Sequence, residues 1–216
     1  MSTRTTLGIV VILLIASALA GALLWNRLPD PMASHWNIRD QANGTMPKFW
    51  GVFLMPLISL AMLLLFLIIP EIDPLKANIA KFRETFNLFI VFMMLFLTYI
   101  YGLTLAWNLG FTHFQMSEML LPALGLLFIL IGFLLRKAKR NFFIGIRTPW
   151  TLSSDHVWDE THRVGSVLFI ISGVLALIGS LFGNLIALLL ILVPLIGSVV
   201  FLVIYSYLLY AQETKA

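Results

Sequence analysis

The chain has 216 residues, 60% of them hydrophobic and 11% charged, with a mean hydropathy of +0.98. Soluble domains carry roughly 25% charged residues, so a chain this apolar could not cover its surface in water, and its solvent is a lipid bilayer. The net charge of +4 then bears on topology more than on nucleic acid, and the absence of cysteine excludes disulfides, thiolate metal sites and cysteine nucleophiles.

A membrane crossing needs about 20 apolar residues. Six stretches qualify: Leu7–Trp25, Phe49–Ile69, Phe86–Trp107, Met119–Leu135, Ser166–Phe182 and Leu185–Tyr210. They predict an all-α integral membrane protein, a single six-helix bundle over residues 1–216. The first stretch has features of a signal peptide, with Arg4 ahead of the apolar run and Ala18-Leu19-Ala20 as a cleavage-like site. The run continues past that site to Trp25, which suits an uncleaved anchor better. The last two stretches are separated only by Gly183-Asn184, read as a tight helical hairpin.

With the N-terminus inside, the cytoplasmic segments hold 11 Lys and Arg residues, against Arg27, Arg39 and Lys48 outside. The positive-inside rule therefore predicts both termini in the cytoplasm. Residues 27–48 become an extracellular loop, 70–85 a cytoplasmic connector and 136–165 a cytoplasmic motif loop. Trp25, Trp50, Trp107 and Trp150 fall near the predicted interfaces. No ionisable side chain lies well inside a span, which argues against ion-coupled transport.

In the extracellular loop, Pro29 and Pro31 stiffen the entry, while Asn43-Gly44 and Pro47 mark turns. A loop this long and this rich in turn chemistry points to function. His35 with Asp30 or Asp40 invites a metal reading, but no ligand spacing supports it, and a hydrogen-bonded structural histidine is the better reading. The connector opens on a turn bracketed by Pro70 and Pro74. It then turns amphipathic, with Leu75, Ile79, Phe82 and Phe86 on one face, as for a segment lying on the inner membrane surface.

The motif loop begins with the basic run Arg136–Arg140, a topology determinant that touches anionic lipid. Pro149 keeps Thr148 extended, so a helix cannot run through the pair. Ser153 is the expected N-cap of the following helix, with Asp155 at its second position and Leu152 and Val157 as a hydrophobic staple. Asp155, Asp159 and His162 are spaced i, i+4, i+7 and share a helical face. An acid–base or metal site is the sharper reading of that face. A solvated face with Asp159 paired to Arg163 is the one preferred. Arg147 is expected to clasp one of Asp155, Asp159 and Glu160, with Trp150 and Trp158 as an apolar wall.

Three segments together resemble one family. GIRTPWTL (Gly145–Leu152) followed by VW-x-x-THR-x-G (Val157–Gly165) resembles the signature of the SdpI-like family, named for the immunity protein against the sporulation-delay peptide toxin. Leu28–Lys48 resembles the N-terminal domain of unknown function found in the same proteins, and Pro70–Asn78 resembles their connector. Two departures stand out: Asp40 where relatives tend to have glycine, and His156 where they tend to have glutamate.

The resemblance implies a six-span plasma-membrane protein, non-enzymatic and without a cofactor, conferring toxin immunity. Its implied partners are the lipid bilayer, a secreted peptide toxin outside and a cytoplasmic repressor protein inside, with no direct contact to nucleic acid. His35, Trp36 and Asn37 are the expected contact residues outside. Arg147, Trp150, Trp158, Asp159, His162 and Arg163 are the expected ligand-binding or signalling residues inside. Two rivals remain: an interfacial hydrolase using Asp155, Asp159, His162 and Arg147, and a transport accessory protein.

Overall fold

The computed structural model describes residues 1–182 and 184–215, with Asn184 described by its backbone. Gly183, half of the expected hairpin between the last two spans, lies outside them. Among the described residues there are six long apolar helices: α1 (Thr3–Leu24), α2 (Lys48–Ile72), α4 (Arg83–Asn108), α5 (Met116–Lys137), α7 (Asp155–Gly179) and α8 (Asn184–Glu213). Two short helices, α3 (Lys76–Ala80) and α6 (Pro149–Ser153), lie in the loops. Each long helix extends three or more residues beyond the apolar stretch at one end at least, because polar residues add hydrogen-bonded positions that hydropathy alone does not show. The helices present exposed apolar rows such as Ile12, Ile15 and Leu19 on α1, or Val193, Ile196 and Val200 on α8. Such rows suit lipid, with every backbone group satisfied inside its own helix. The chain is a multi-pass membrane protein.

The helices pack as two groups of three. In the first, Gly21 of α1 lets α2 and α4 approach: a Cβ there would meet the Tyr101 hydroxyl and lie 2.7 Å from Val52 Cγ1. Tyr101 donates to the Val52 carbonyl at 2.9 Å across that junction. In the second, α5 and α7 run antiparallel and nearly in backbone contact. A Cβ on Gly125 would stand 2.8 Å from the Gly173 carbonyl, and one on Gly132 would stand 2.8 Å from the Ser166 carbonyl. Both pairs are seven residues apart, so the small positions recur on one seam, the usual route to close packing where lipid supplies no hydrophobic drive. Ser172 and Ala176 of α7 are buried as well, but the closest approach uses the glycines beside them.

One end of the bundle, the hairpin end, carries two short strands, β1 (Met32–Trp36) and β2 (Ala42–Met46), paired antiparallel. Residue preference alone places a turn at Asn43-Gly44 in this segment. The reversal is made instead by Asn37, whose Oδ1 accepts from the amides of Arg39 at 2.9 Å and Gln41 at 3.1 Å. Gly44 sits in β2 opposite His35, where a Cβ would come 2.9 Å from His35 Cβ.

The other end, the motif end, gathers both termini, α3 and residues 138–155. Ile79, Phe82 and Phe86 are buried there with Val10, Leu63 and Trp158 in one core. The connector's apolar face therefore turns into the protein rather than onto the membrane surface. Pro70 stays inside α2, which ends at Ile72, so the expected turn begins at Asp73-Pro74.

Candidate functional site

At the hairpin end a cavity of about 500 Å³ lies between the hairpin and the upper turns of α2, α4 and α5. His35, Trp36 and Asn37, the three residues expected outside, all line it. Its floor is apolar, built by Leu54, Met55, Ile58, Ile100, Leu103 and Leu120. Its rim is polar, with Ser34, Thr104, Asp40 and Ser117. The volume falls within the range of small-ligand pockets, about 300–1,000 Å³.

The hairpin is fastened over this cavity by side-chain hydrogen bonds to the helix ends around it. Asn108, the last residue of α4, accepts from the Ala33 amide at 2.8 Å and donates to the Ala33 carbonyl at 3.0 Å. Its carboxamide thereby takes the place of a third strand. Asp40 accepts from the Ser117 amide at 2.8 Å and from the Ser117 hydroxyl at 2.6 Å. Ser117 is the second residue of α5, and Gln115, its N-cap, makes no side-chain cap bond. Asp40 thus caps α5 from another element, with its anion at the positive end of the helix dipole. It does so from a left-handed backbone, φ 56°. Glycine would adopt that backbone freely but could not cap. Asp30 accepts from the Lys48 amide at 3.1 Å, and His35 Nδ1 is 2.6 Å from Asn43 Oδ1. His35 is thus a hydrogen-bonded strand residue, and among the described residues neither aspartate bonds to it.

At the motif end the two signature segments prove to be halves of one interlock. Gly145 has φ 116°, and a Cβ there would strike His162 Nε2. The next amide, Ile146, donates to His162 Nε2 at 2.9 Å, and His162 Nδ1 lies 2.8 Å from the Trp158 carbonyl. The imidazole is therefore the neutral Nδ1–H tautomer, with both nitrogens used inside the protein. It stacks on Trp158 at 4.0 Å, and Trp158 donates to the Ala138 carbonyl at 2.9 Å. Gly165 admits Ile146. Thr148 caps α6 and forms a capping box with Thr151, with Pro149 at the first helical position. The Thr148 hydroxyl also meets that of Ser206 on α8 at 3.0 Å.

Several expectations are corrected here. Ser154, not Ser153, caps α7 by accepting from the Val157 amide at 3.2 Å, and Asp155 is the first helical residue. Ser153 is the last residue of α6 and bonds the Pro149 carbonyl. The extra short helix begun by Pro149 shifts the cap by one. The carboxylate clasp exists, but Arg147 does not make it. Arg140 Nε lies 2.7 Å from Asp155 Oδ1, while Arg140 NH1 donates to the Leu152 carbonyl at 2.9 Å. Lys139 Nζ donates to both oxygens of Asp159 at about 3 Å. Arg147 is exposed and donates to the Phe142 carbonyl at 3.0 Å. Arg163 pairs with Glu160 at 2.6 Å rather than with Asp159. Trp150 packs on Tyr207 at 5.1 Å and Trp158 is fully buried, so they form no common wall. Asp155 and Asp159 border a polar recess of about 220 Å³ with Asn78, Lys81, Lys139 and Arg140, apart from the buried His162. Among the described residues, no three His, Asp or Glu side chains stand close enough to hold a metal ion.

Two buried polar residues hold the motif end together. Asn141 donates to the carbonyls of Lys139 and Ile144, both at 2.8 Å, and accepts from the amides of Phe143 and Ile144. Asp73 accepts from the Leu75 amide at 2.6 Å and from the Phe142 amide at 2.9 Å, tying the connector to the motif loop. Asn78 adds a bond to the Arg140 carbonyl at 2.9 Å. The available signal for Asp73 was its place in a Pro-bracketed turn, and for Asn141 its place between a basic run and two phenylalanines.

Residues 137–206 match the SdpI/YfhL protein family, and residues 12–60 match a domain of unknown function, DUF1648. A curated relative, the immunity protein SdpI of Bacillus subtilis (strain 168), is 26% identical over 191 residues, covering 88% of this chain and 89% of its own. No solved structure matches. The interlock of Gly145–Leu152 with Val157–Gly165 lies within the first matched segment, the hairpin within the second, and the chain is a multi-pass plasma-membrane protein similar to the SdpI immunity protein.

Proposed function

We propose that this chain is a membrane immunity protein whose hairpin end meets an amphipathic peptide toxin and whose motif end answers in the cytoplasm. The orientation rests on charge: 11 of the 14 Lys and Arg residues lie at the motif end or beside it, which puts that end, with residues 70–85 and 136–165, inside. Residues 27–48 then lie outside. The observation that carries the reading is the cavity beneath the hairpin, lined by His35, Trp36 and Asn37 above an apolar floor. A site half in the water and half at the level of the acyl chains suits a ligand that arrives from outside and partitions into the membrane.

Arg147, Trp150, Asp159 and Arg163 are the surface that a cytoplasmic repressor would read. Trp158 and His162 support that surface from beneath. The hydrolase reading has less behind it, because Asp155 and Asp159 face cations while His162 spends both nitrogens on the backbone. The test is protection. Sensitive cells expressing the chain are challenged with the sporulation-delay peptide toxin, with and without Leu103→Trp, which fills the cavity. Wild-type chain should protect, and the filled variant should not while reaching the same level in the membrane. Equal protection by both overturns the role of the cavity. A cysteine introduced at Ser153 should also resist an impermeant reagent in intact cells, whereas one introduced at Arg39 should react.

A further inference from the structure

The two groups of helices meet along α4 and α5, and a groove of about 580 Å³ runs down that seam. Phe92, Leu95, Phe96 and Tyr99 form its α4 wall, spaced i, i+3, i+4, i+7 on one helical face. On α5, Pro122, Leu126 and Leu130 follow Glu118 at intervals of four, with the small Ala123 leaving room beside them. Leu95 and Leu126 are 42% and 55% exposed, so the groove opens onto the acyl chains of the bilayer. It shares no lining residue with the hairpin cavity.

The polar end of this groove is one-sided. Glu118 is its single charged lining residue, and among the described residues the carboxylate makes no ion pair or hydrogen bond. Glu118 stands in the first turn of α5, where the helix dipole favours an anion, but Asp40 already serves that end. Pro122 has no N–H to give the Glu118 carbonyl four residues back, so a second acceptor stands in the same turn. The Tyr99 hydroxyl donates to the Met119 carbonyl at 3.2 Å, and no other side chain of the lining carries a donor.

We infer that the groove holds one chain of a phospholipid whose headgroup carries a primary amine, with the ammonium donating to Glu118. Acyl chains are the solvent of this face, so the apolar walls alone do not discriminate. The length fits one of them. Glu118 to Leu130 covers about 18 Å of helix, close to the roughly 15 Å of hydrocarbon in one leaflet. A single peptide side chain would fill only part of that length. The headgroup makes the choice. A primary ammonium brings both charge and donors to the carboxylate. A choline brings charge without an N–H, and a phosphoglycerol headgroup sets its phosphate against Glu118 with no Lys or Arg in the lining.

The experiment uses the full chain in phosphatidylcholine nanodiscs doped with a photoreactive phospholipid that carries a diazirine at mid-chain. Three such lipids share that chain and differ in headgroup: ethanolamine, choline or glycerol. Adducts mapped by mass spectrometry to residues 92–99 and 118–130 should favour ethanolamine over choline about two- to fivefold, the value of an exposed ion pair. The glycerol lipid should label least. Glu118→Gln should bring ethanolamine and choline level, and Glu118→Asp should keep the preference. Glu118→Lys should put the glycerol lipid first. The exposed α8 face from Val193 to Val200 serves as the reference and should label without preference in every variant. Equal labelling of the groove by all three lipids overturns the proposal and leaves ordinary solvating lipid. A preference that survives Glu118→Gln overturns the role of the carboxylate. No groove adduct with any of them overturns it outright, as for a groove filled by a peptide or by a second copy of the chain.

Discussion

Replacing Asp40 tests whether the hairpin is held by a cap supplied from outside the helix. Three substitutions separate its two burdens, the left-handed backbone at φ 56° and the two bonds to Ser117. Asparagine tolerates that backbone and keeps one acceptor, so it should cost about 0.5–1 kcal/mol, near the lower part of the range for losing a cap. Glycine takes the backbone freely but loses both bonds, which a removed cap values at about 1–2 kcal/mol. Alanine loses the bonds and strains the backbone by roughly 1 kcal/mol more, giving about 2–3 kcal/mol in all. Thermal unfolding in detergent should therefore rank wild type above Asn, Asn above Gly, and Gly above Ala. Amide exchange at Ser117–Met119, in the first turn of α5, should quicken in the glycine and alanine variants. Glycine matching wild type would show that the cap contributes nothing. Alanine matching glycine would show that the backbone at this position is not held left-handed.

Two further substitutions probe the motif end. Gly145→Ala places a Cβ against His162 Nε2 at a φ of 116°, so about 1–3 kcal/mol of backbone strain adds to the clash, and the purified variant should unfold at a markedly lower temperature. Arg147→Lys should stay within about 0.5 kcal/mol of wild type, since its exposed guanidinium makes a single carbonyl contact. Arg140→Lys should lose more, because one ammonium cannot serve both the Leu152 carbonyl and Asp155 in Arg140's geometry; equal melting of the two variants would refute this.

The six spans were legible because a bilayer imposes length and hydropathy on a crossing helix, and those are properties of composition. The signature residues were legible too, but not their roles. Arg147 stands in a rigid turn and looked like the clasp, yet Arg140 makes it. Which of two nearby arginines meets Asp155 depends on the path of the chain between them, and that path is set by Asn141 and Gly145. The hairpin was missed because Asn43-Gly44 reads as a turn by residue preference. The need for Gly44 came from the strand opposite, where His35 leaves no room for a Cβ. The cavity was half legible: His35, Trp36 and Asn37 were singled out, but its floor comes from three helices whose apolar residues look alike in sequence.

The first group of helices supplies carboxylate acceptors to the second at both ends of the bundle, and this matters for how the protein is made. A membrane protein is synthesised from its N-terminus, and its early spans enter the bilayer before the later ones exist. The first group carries Asp40 and Asp73, whose partners Ser117 and Phe142 belong to the second. Until the fourth span arrives, the hairpin has no anchor on α5, and until residue 142 is made, the buried Asp73 carboxylate lacks one of its two amides. A half-made chain thus lacks one fastening at each end of the bundle. The second half closes it, first at the hairpin end and then at the motif end, in the order in which the ribosome supplies the donors.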